Sequence, residues 1–128
     1  MKMLGQAWLY RIGNTLVRVE NAFAWSGWCQ ERLRVNDETA HEAYGWFGTR
    51  RAFDEDWLTP TGEGVLAVRL KARLMGISCE AFLDRERLEP EAHETVEWAG
   101  PRRSWPPADA WATAGARAWI VSPPNSRR

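Results

Sequence analysis

The stretch that decides the fold is Val65-Leu-Ala-Val-Arg-Leu-Lys-Ala-Arg-Leu74, followed by Met75-Gly76-Ile77-Ser78-Cys79. Its apolar and basic side chains alternate: Leu66, Val68, Leu70 and Leu74 fall on one side, and Arg69, Lys71 and Arg73 fall on the other. A period of two is that of a β-strand with one face in the core and one in water. Because Met75-Gly76 breaks the run before the next strand, the stretch predicts a β-hairpin.

Similar runs recur through residues 1–90 at intervals of about ten residues. Further strands are predicted over residues 8–12, 16–25, 28–35 and 46–53, with turns at Gly13-Asn14, Ser26-Gly27, Asn36-Asp37 and Asp84-Arg85-Glu86. Residues 38–44 fit either a short strand or one helical turn, and residues 59–64 are predicted to be loop. The sequence therefore predicts an all-β domain over residues 1–90, an antiparallel β-sandwich of about seven strands.

Residues 91–128 have a different composition, because they are rich in proline, alanine and tryptophan. The alternating alanines of residues 108–118 offer little apolar surface to offset the entropy of ordering, whereas the tryptophans are unusual for a disordered linker. We expect an irregular tail that packs on the domain or is partly disordered, with residues 111–121 as a short helix or an added strand. Trp111 and Trp119 are candidate binding residues, either docked on the domain or used as a partner motif.

Length and charge exclude several classes of protein. A chain of 128 residues suits one domain that buries its core without disulfides or metals. Its 17 basic and 17 acidic residues cancel, so there is no overall field to attract nucleic acid or an anionic membrane. No apolar run approaches the roughly 20 residues that span a bilayer, and the N-terminus lacks a signal-peptide pattern. We expect a cytoplasmic protein with no membrane partner.

In that compartment Cys29 and Cys79 are expected to be reduced thiols. Both lie early in predicted strands, so a cross-strand disulfide between them is geometrically possible.

Nine tryptophans make the composition unusual. Trp8, Trp25 and Trp46 fit inward alternation, and we expect them to fill the core. Trp28 shares a side with two arginines, and Trp57 follows an acidic run, so both are predicted to be accessible. Exposed tryptophans form platforms for sugar rings or for a partner's apolar surface, which makes Trp28 and Trp57 candidate binding residues.

A second candidate is a basic stripe on two predicted strands, formed by Arg32, Arg34, Arg69, Lys71 and Arg73. On a single sheet face such residues could contact phosphates. The alternative, which neutrality favours, is that they pair across a solvated face with the interspersed acidic residues Glu20, Glu31 and Glu80.

Residues for catalysis are not marked out. His41 and His93 have no metal-ligand spacing, and no Walker loop, dinucleotide fingerprint or nucleophile elbow is present. Cys29 or Cys79 beside a histidine could form a nucleophile pair only if the fold brought them together. We therefore predict a protein that is not an enzyme, with no catalytic residues, no metal site and no cofactor.

The order of pieces from Trp8 to Pro90 resembles the N-terminal domain of the Fas apoptosis inhibitory molecule family. The matching pieces are Trp8-Leu-Tyr-Arg-Ile, Leu16-Val-Arg-Val-Glu, Ser26-Gly27, Val35-Asn36-Asp37-Glu38, Trp46-Phe47-Gly48, the strand 65–74, Gly76 and Leu83-Asp84-Arg85-Glu86. The chain departs from that pattern at Asp37-Glu38 and Asp84-Arg85, where the turn glycine is missing, and after Pro90. The resemblance implies a compact antiparallel β-sandwich that binds proteins and has no catalytic residues.

Taken together, these patterns predict a small binding module whose partner is another protein, or a second copy of the chain. The alternative is a carbohydrate or small-ligand binder that uses an aromatic platform on one sheet face. Nucleic acid is not expected as a partner.

Overall fold

The structure is a computed structural model that describes residues 1–47, 56–73 and 76–114. These residues form two antiparallel sheets, with strand orders β10-β9-β1-β2-β3-β4 and β5-β6-β7-β8. The strands are β1 Lys2–Ile12, β2 Thr15–Phe23, β3 Trp28–Val35, β4 Glu38–Trp46, β5 Trp57–Thr61, β6 Gly64–Arg73, β7 Gly76–Leu83, β8 Glu86–Leu88, β9 Ala92–Ala99 and β10 Ala112–Thr113. The predicted all-β class and sandwich architecture are confirmed.

The hairpin predicted from the opening stretch is confirmed. β6 pairs with β7 in a register that places Leu70 opposite Cys79 and Arg69 opposite Glu80. Leu66, Val68 and Leu70 are buried, as the alternation requires. Leu74 and Met75 lie outside the described residues.

The core lies between the sheets, where apolar side chains from both inner faces meet. Its members are Trp8, Tyr10, Ile12, Val17, Val19, Leu33, Leu66, Val68, Leu70 and Ala81. Trp8 is therefore a core residue as predicted, but Trp25 and Trp46 are not. Trp25 is 82% exposed because β2 ends at Phe23 and the chain turns there. Trp46 is 43% exposed because it ends the edge strand β4.

Two tight turns are anchored in the same way, one in each sheet. Asn36 and Asp37 have φ of 49° and 67°, and Asp84 and Arg85 have φ of 48° and 78°. Two successive left-handed residues give the turn whose twist matches a hairpin. The Asn36 side chain accepts a hydrogen bond from the Leu16 amide, and that of Asp84 accepts one from the Val65 amide, both at 2.9 Å. The side-chain oxygen explains why asparagine and aspartate stand here.

Strand number and boundaries differ from the prediction. The described part of residues 1–90 contains eight strands, against about seven predicted, and two more strands follow residue 90. The ambiguous residues 38–44 belong to β4, and the predicted loop at residues 59–64 contributes to the edge strand β5, which tolerates Pro60. The predicted strand over residues 46–53 is wrong at its start, since Trp46 ends β4, and residues 48–53 lie outside the described range.

The predicted domain boundary at residue 90 does not coincide with the end of the sheet. β9 pairs along β1, with Gly5 opposite Val96, and β10 adds to the far side of β9. The alternation of β9 is hard to recognise because its inward residues His93 and Thr95 are polar. Residues 100–111, called the strap below, cross the outer face of the six-stranded sheet, with a 3-10 helix at Ala108–Ala110.

Candidate functional site

The two outer faces of the sandwich differ in what covers them, and the strap covers the outer face of the six-stranded sheet. Arg102 lies 5.2 Å above the Trp28 ring and 5.6 Å above that of Trp46, and Arg103 lies 3.9 Å above the Tyr44 ring. Trp28 is only 5% exposed. The prediction that Trp28 is accessible is wrong, because its side of β3 faces the strap rather than water.

Gln30 fixes the strap to the sheet. Its amide nitrogen donates to the Ser104 carbonyl at 2.6 Å, and its amide oxygen accepts from the Arg103 amide at 2.9 Å. The same oxygen accepts a hydrogen bond from the Trp28 indole at 2.8 Å. A fully buried glutamine with these bonds satisfied holds the strap in one register.

Under the strap, arginines and carboxylates form a buried cluster. Glu20, 1% exposed, pairs with both Arg18 and Arg32, and Arg18 also pairs with Glu94 at 2.8 Å. Trp111 lies over the guanidinium of Arg18 and Trp105 over that of Arg32. Burial acts to lower the pKa of Arg18, but the hydrogen bonds to the two carboxylates outweigh it and raise that pKa.

Gly5 makes room for the strap. A Cβ atom at this position would lie 3.3 Å from the Trp111 ring, 3.2 Å from the Trp98 ring and 3.0 Å from a Val96 methyl group. The glycine in the middle of β1 thus lets two aromatic rings approach the backbone. Trp111 is one of the predicted binding residues, and the structure places it against the domain. Trp119 lies outside the described residues.

The outer face of the four-stranded sheet presents apolar side chains. Leu58 is 61% exposed and Val65 is 49% exposed. With Ala67 and Phe82 they line a shallow cavity of about 570 Å³. Asp56, Arg69, Asp84 and Arg85 line the same cavity, so the patch combines apolar and charged residues. We call this set of eight residues the open patch.

Three basic residues of this sheet, Arg69, Lys71 and Arg87, are paired with carboxylates. Arg69 makes two hydrogen bonds to Asp56, at 2.9 and 3.0 Å, which lower the pKa of that carboxyl group. Glu80 lies 3.5 Å from Lys71 and 3.2 Å from Arg87. Although burial acts to raise the pKa of Glu80, these cations lower it. The predicted pairing of basic residues with Glu80 on the neighbouring strand is confirmed for Arg69 and Lys71.

The structure does not contain the single basic stripe, which was the less favoured of the two interpretations of these residues. Arg32 and Arg34 lie on the six-stranded sheet, whereas Arg69 and Lys71 lie on the other sheet. Each pair faces outward from the core, so the two pairs are on opposite sides of the sandwich. The side chain of Arg73 lies outside the described part of the structure.

Trp57 was expected to be accessible, but it is half-buried and packs against the core. Its ring stacks on that of His41 with centroids 5.6 Å apart, and His41 Nε2 also forms a 2.9 Å hydrogen bond with the Thr59 hydroxyl. These contacts tie the edge strand β4 to the edge strand β5. The pair His41–Trp57 therefore closes one side of the sandwich rather than forming a platform.

The two cysteines and His93 were the other residues considered for chemistry. Both cysteines are free thiols, as expected, and burial raises the pKa of Cys79 to about 12 beside the Tyr10 hydroxyl. His93 stacks on Trp8 and bonds Gln6, and burial lowers its pKa. Among the residues the structure describes, no group of three potential metal ligands occurs.

The residues that sequence reasoning missed are Leu58, Val65, Phe82 and Gln30. In the alternating pattern of the opening stretch, Val65 falls on the side opposite to the core leucines. This position was the available signal that an apolar side chain points outward. Within the described ranges, no helix has the length and apolar character that crossing a membrane requires. Comparison with protein-family models, with curated proteins and with solved structures gave no match.

Proposed function

We propose that this chain is a non-catalytic binding module that contacts another protein through the open patch. The observation that carries the proposal is the contrast between the two outer faces. The strap closes one face with the chain's own residues, whereas the other face presents Leu58 and Val65 to water.

The make-up of the open patch supports a protein partner. Exposed apolar side chains gathered on a monomer mark interaction sites more often than scattered single residues do. Protein interfaces combine an apolar centre with a polar rim, and here Asp56, Arg69 and Arg85 stand beside Leu58 and Phe82. A concavity of this kind accepts a protruding apolar side chain, the usual anchor of a binding hot spot.

The chemistry of Cys79 and of His93 supports binding rather than catalysis. A nucleophilic cysteine needs a lowered pKa, and that of Cys79 is raised. His93 stacks on Trp8 and forms a hydrogen bond with Gln6. The two free thiols also support the cytoplasm as the compartment, since thiols stay reduced there. The resemblance to the Fas apoptosis inhibitory molecule family, which implies the same role, stays a prediction.

Site-specific photocrosslinking tests the proposal. A benzophenone amino acid replaces Leu58 in the full chain, and cross-linking is carried out in cells of the source organism. The matched control carries the same amino acid at Ala110, an exposed residue of the strap. We expect discrete cross-linked products from position 58 that are lost when Val65→Arg is added. Products that are equal at the two positions, or absent at position 58, would contradict the proposal.

The same reagent shows whether the partner is a second copy. If the purified chain alone gives a product of twice its mass, the open patch mediates self-association. Sedimentation velocity of the wild type and of Val65→Arg then decides whether this dimer forms without cross-linking.

Carbohydrate or small-ligand binding is the second candidate, and an exposed aromatic corner favours it. The ring centroids of Trp25 and Phe23 are 5.2 Å apart in an edge-to-face pair, and Phe47, which is also exposed, lines the same cavity. We propose this corner, rather than a sheet face, as the platform. A fluorescence titration with a panel of glycans, compared between the wild type and Trp25→Phe, tests it. A flat response in both proteins would remove this candidate.

A further inference from the structure

A small cleft opens between the strap and the outer face of the six-stranded sheet. It has a volume of about 190 Å³ and is lined by three arginines, Arg18, Arg32 and Arg34, which come from two neighbouring strands. Leu9, Leu16, Pro106, Ala108 and Trp111 form its apolar walls, and Asp37 also lines it. The cleft lies on the side of the sandwich away from the open patch.

Like charges face each other directly in this cleft. Arg18 and Arg34 are cross-strand partners in the β2–β3 register. Two cations in directly opposed positions destabilise a sheet unless counter-charges are supplied. Arg18 has two, Glu20 and Glu94, at 2.8 Å each.

Arg34 is in a different situation. In the described part of the chain it has no carboxylate within ion-pair distance, and its contact is a 2.7 Å hydrogen bond from Nη2 to the Asp37 carbonyl. Its Nε is buried and has no hydrogen-bond acceptor there. Buried donors in native proteins almost always have a partner, so this N–H requires an acceptor that the described residues do not provide.

We propose that this cleft binds a phosphate group, held by Arg34 and Arg18 and bounded on one side by Trp111. A guanidinium presents a planar fork of donors that matches a phosphate, and a tetrahedral oxyanion has enough oxygens to serve guanidinium groups from two strands. The anion would supply the counter-charge that Arg34 lacks. This inference is independent of the proposed protein-binding role.

The test uses the full chain and inorganic phosphate as the probe. The side-chain Nε–Hε signals of arginine are followed by nuclear magnetic resonance during a titration at constant ionic strength. We expect saturable shifts of the Arg34 and Arg18 signals with a Kd on the order of 1 mM. Acetate is titrated in parallel, and it should bind at least tenfold more weakly. Equal or tighter binding of acetate would overturn the assignment to phosphate.

Two variants and a control localise the site. Arg34→Gln should weaken phosphate binding at least tenfold, and Arg34→Lys, which keeps the charge but loses the fork, should also weaken it. Arg11→Gln removes one charge from the same outer face, outside the cleft, and should leave the affinity unchanged. The proposal is overturned if wild-type Arg34 shows no saturable shift, or if both Arg34 variants bind phosphate like the wild type. If Arg34→Gln does not fold, Arg34→Lys and the wild-type titration still decide the question.

Discussion

Each outer face of the sandwich carries one carboxylate surrounded by cations, and the two clusters lie in different surroundings. Glu20 holds Arg18 and Arg32 under the strap, where both arginines are largely buried. Glu80 holds Lys71 and Arg87 on a face where these cations are substantially exposed. The same alternation of basic and acidic residues therefore gives a buried network in one sheet and a solvated one in the other. The difference comes from the strap, a segment distant in sequence.

The largest difference between the faces should appear when each carboxylate is neutralised. Glu20→Gln leaves two buried arginines without their shared partner, which should cost about 3 kcal/mol of unfolding free energy. Glu80→Gln should cost about 0.5 kcal/mol, because exposed ion pairs are weakened by water and counterions. Urea unfolding at low and at high salt measures both. Equal costs, or a Glu20→Gln cost that vanishes in high salt, would show that the strap does not bury its cluster.

Removing the Trp105 ring tests how much the strap contributes to the stability of the fold. Trp105 stacks on Trp98 with ring centroids 6.1 Å apart, and its ring covers the guanidinium of Arg32. Because Trp105 is half-buried, Trp105→Ala should destabilise the fold by about 2 kcal/mol, less than the loss of a fully buried tryptophan. Trp25→Ala, at an exposed position, should change stability by less than about 0.5 kcal/mol. Thermal and urea unfolding of both variants provide the comparison, and the reverse order would contradict the assignment of covered and exposed faces.

Between the two outer faces, His93 makes the interior sensitive to pH. Burial holds its folded-state pKa below the ordinary value of 6.5, so the unfolded chain binds the proton first as the pH falls. The unfolding free energy should therefore decrease as the pH falls below about 6.5, and this loss should end below the folded-state pKa. His93→Gln should remove that component from the curve of stability against pH measured from pH 8 to pH 5. Parallel curves for the two proteins would show that His93 titrates alike in the folded and unfolded states.

The smallest effect is expected at the Asp84-Arg85 turn, which is part of the open patch. Arg85 has φ of 78°, a left-handed conformation that costs a side chain with a Cβ about 1 kcal/mol. Arg85→Gly should therefore stabilise the fold by up to about 1 kcal/mol, as measured by urea unfolding. Gly64→Ala is the opposite case, since its φ is 139° and a Cβ would meet the Asp84 carboxylate, so it should destabilise. A destabilising Arg85→Gly would mean that the arginine side chain holds the turn.

Strand positions could be predicted because alternation is a local property. The phase of the opening stretch correctly placed Leu66, Val68 and Leu70 in the core. The left-handed turn at Asn36-Asp37 was also predictable, since both residue types tolerate positive φ. The alternation along β3 also correctly placed Trp28 on the side of Arg32 and Arg34, away from the core between the sheets.

What covers the outer face could not be predicted from that pattern. Trp28 is buried because Gln30 bonds Ser104, a contact between residues far apart in the chain. The strap has few large apolar residues, and it is held by arginine–aromatic contacts and backbone hydrogen bonds that leave no periodic signal. The open patch was missed for a related reason: β5 was predicted to be loop, so Leu58 was not assigned to a sheet face.

The most direct test of the contrast between the faces is hydroxyl-radical footprinting of the purified chain, read out by mass spectrometry. Methionine is among the most reactive side chains, yet Met3 is fully buried beneath the covered face, whereas Met1 is exposed and serves as the internal reference. We predict rapid oxidation of Met1 and Leu58 and almost none of Met3. Oxidation of Met3 at the rate of Met1, or protection of Leu58 in the isolated chain, would contradict the account.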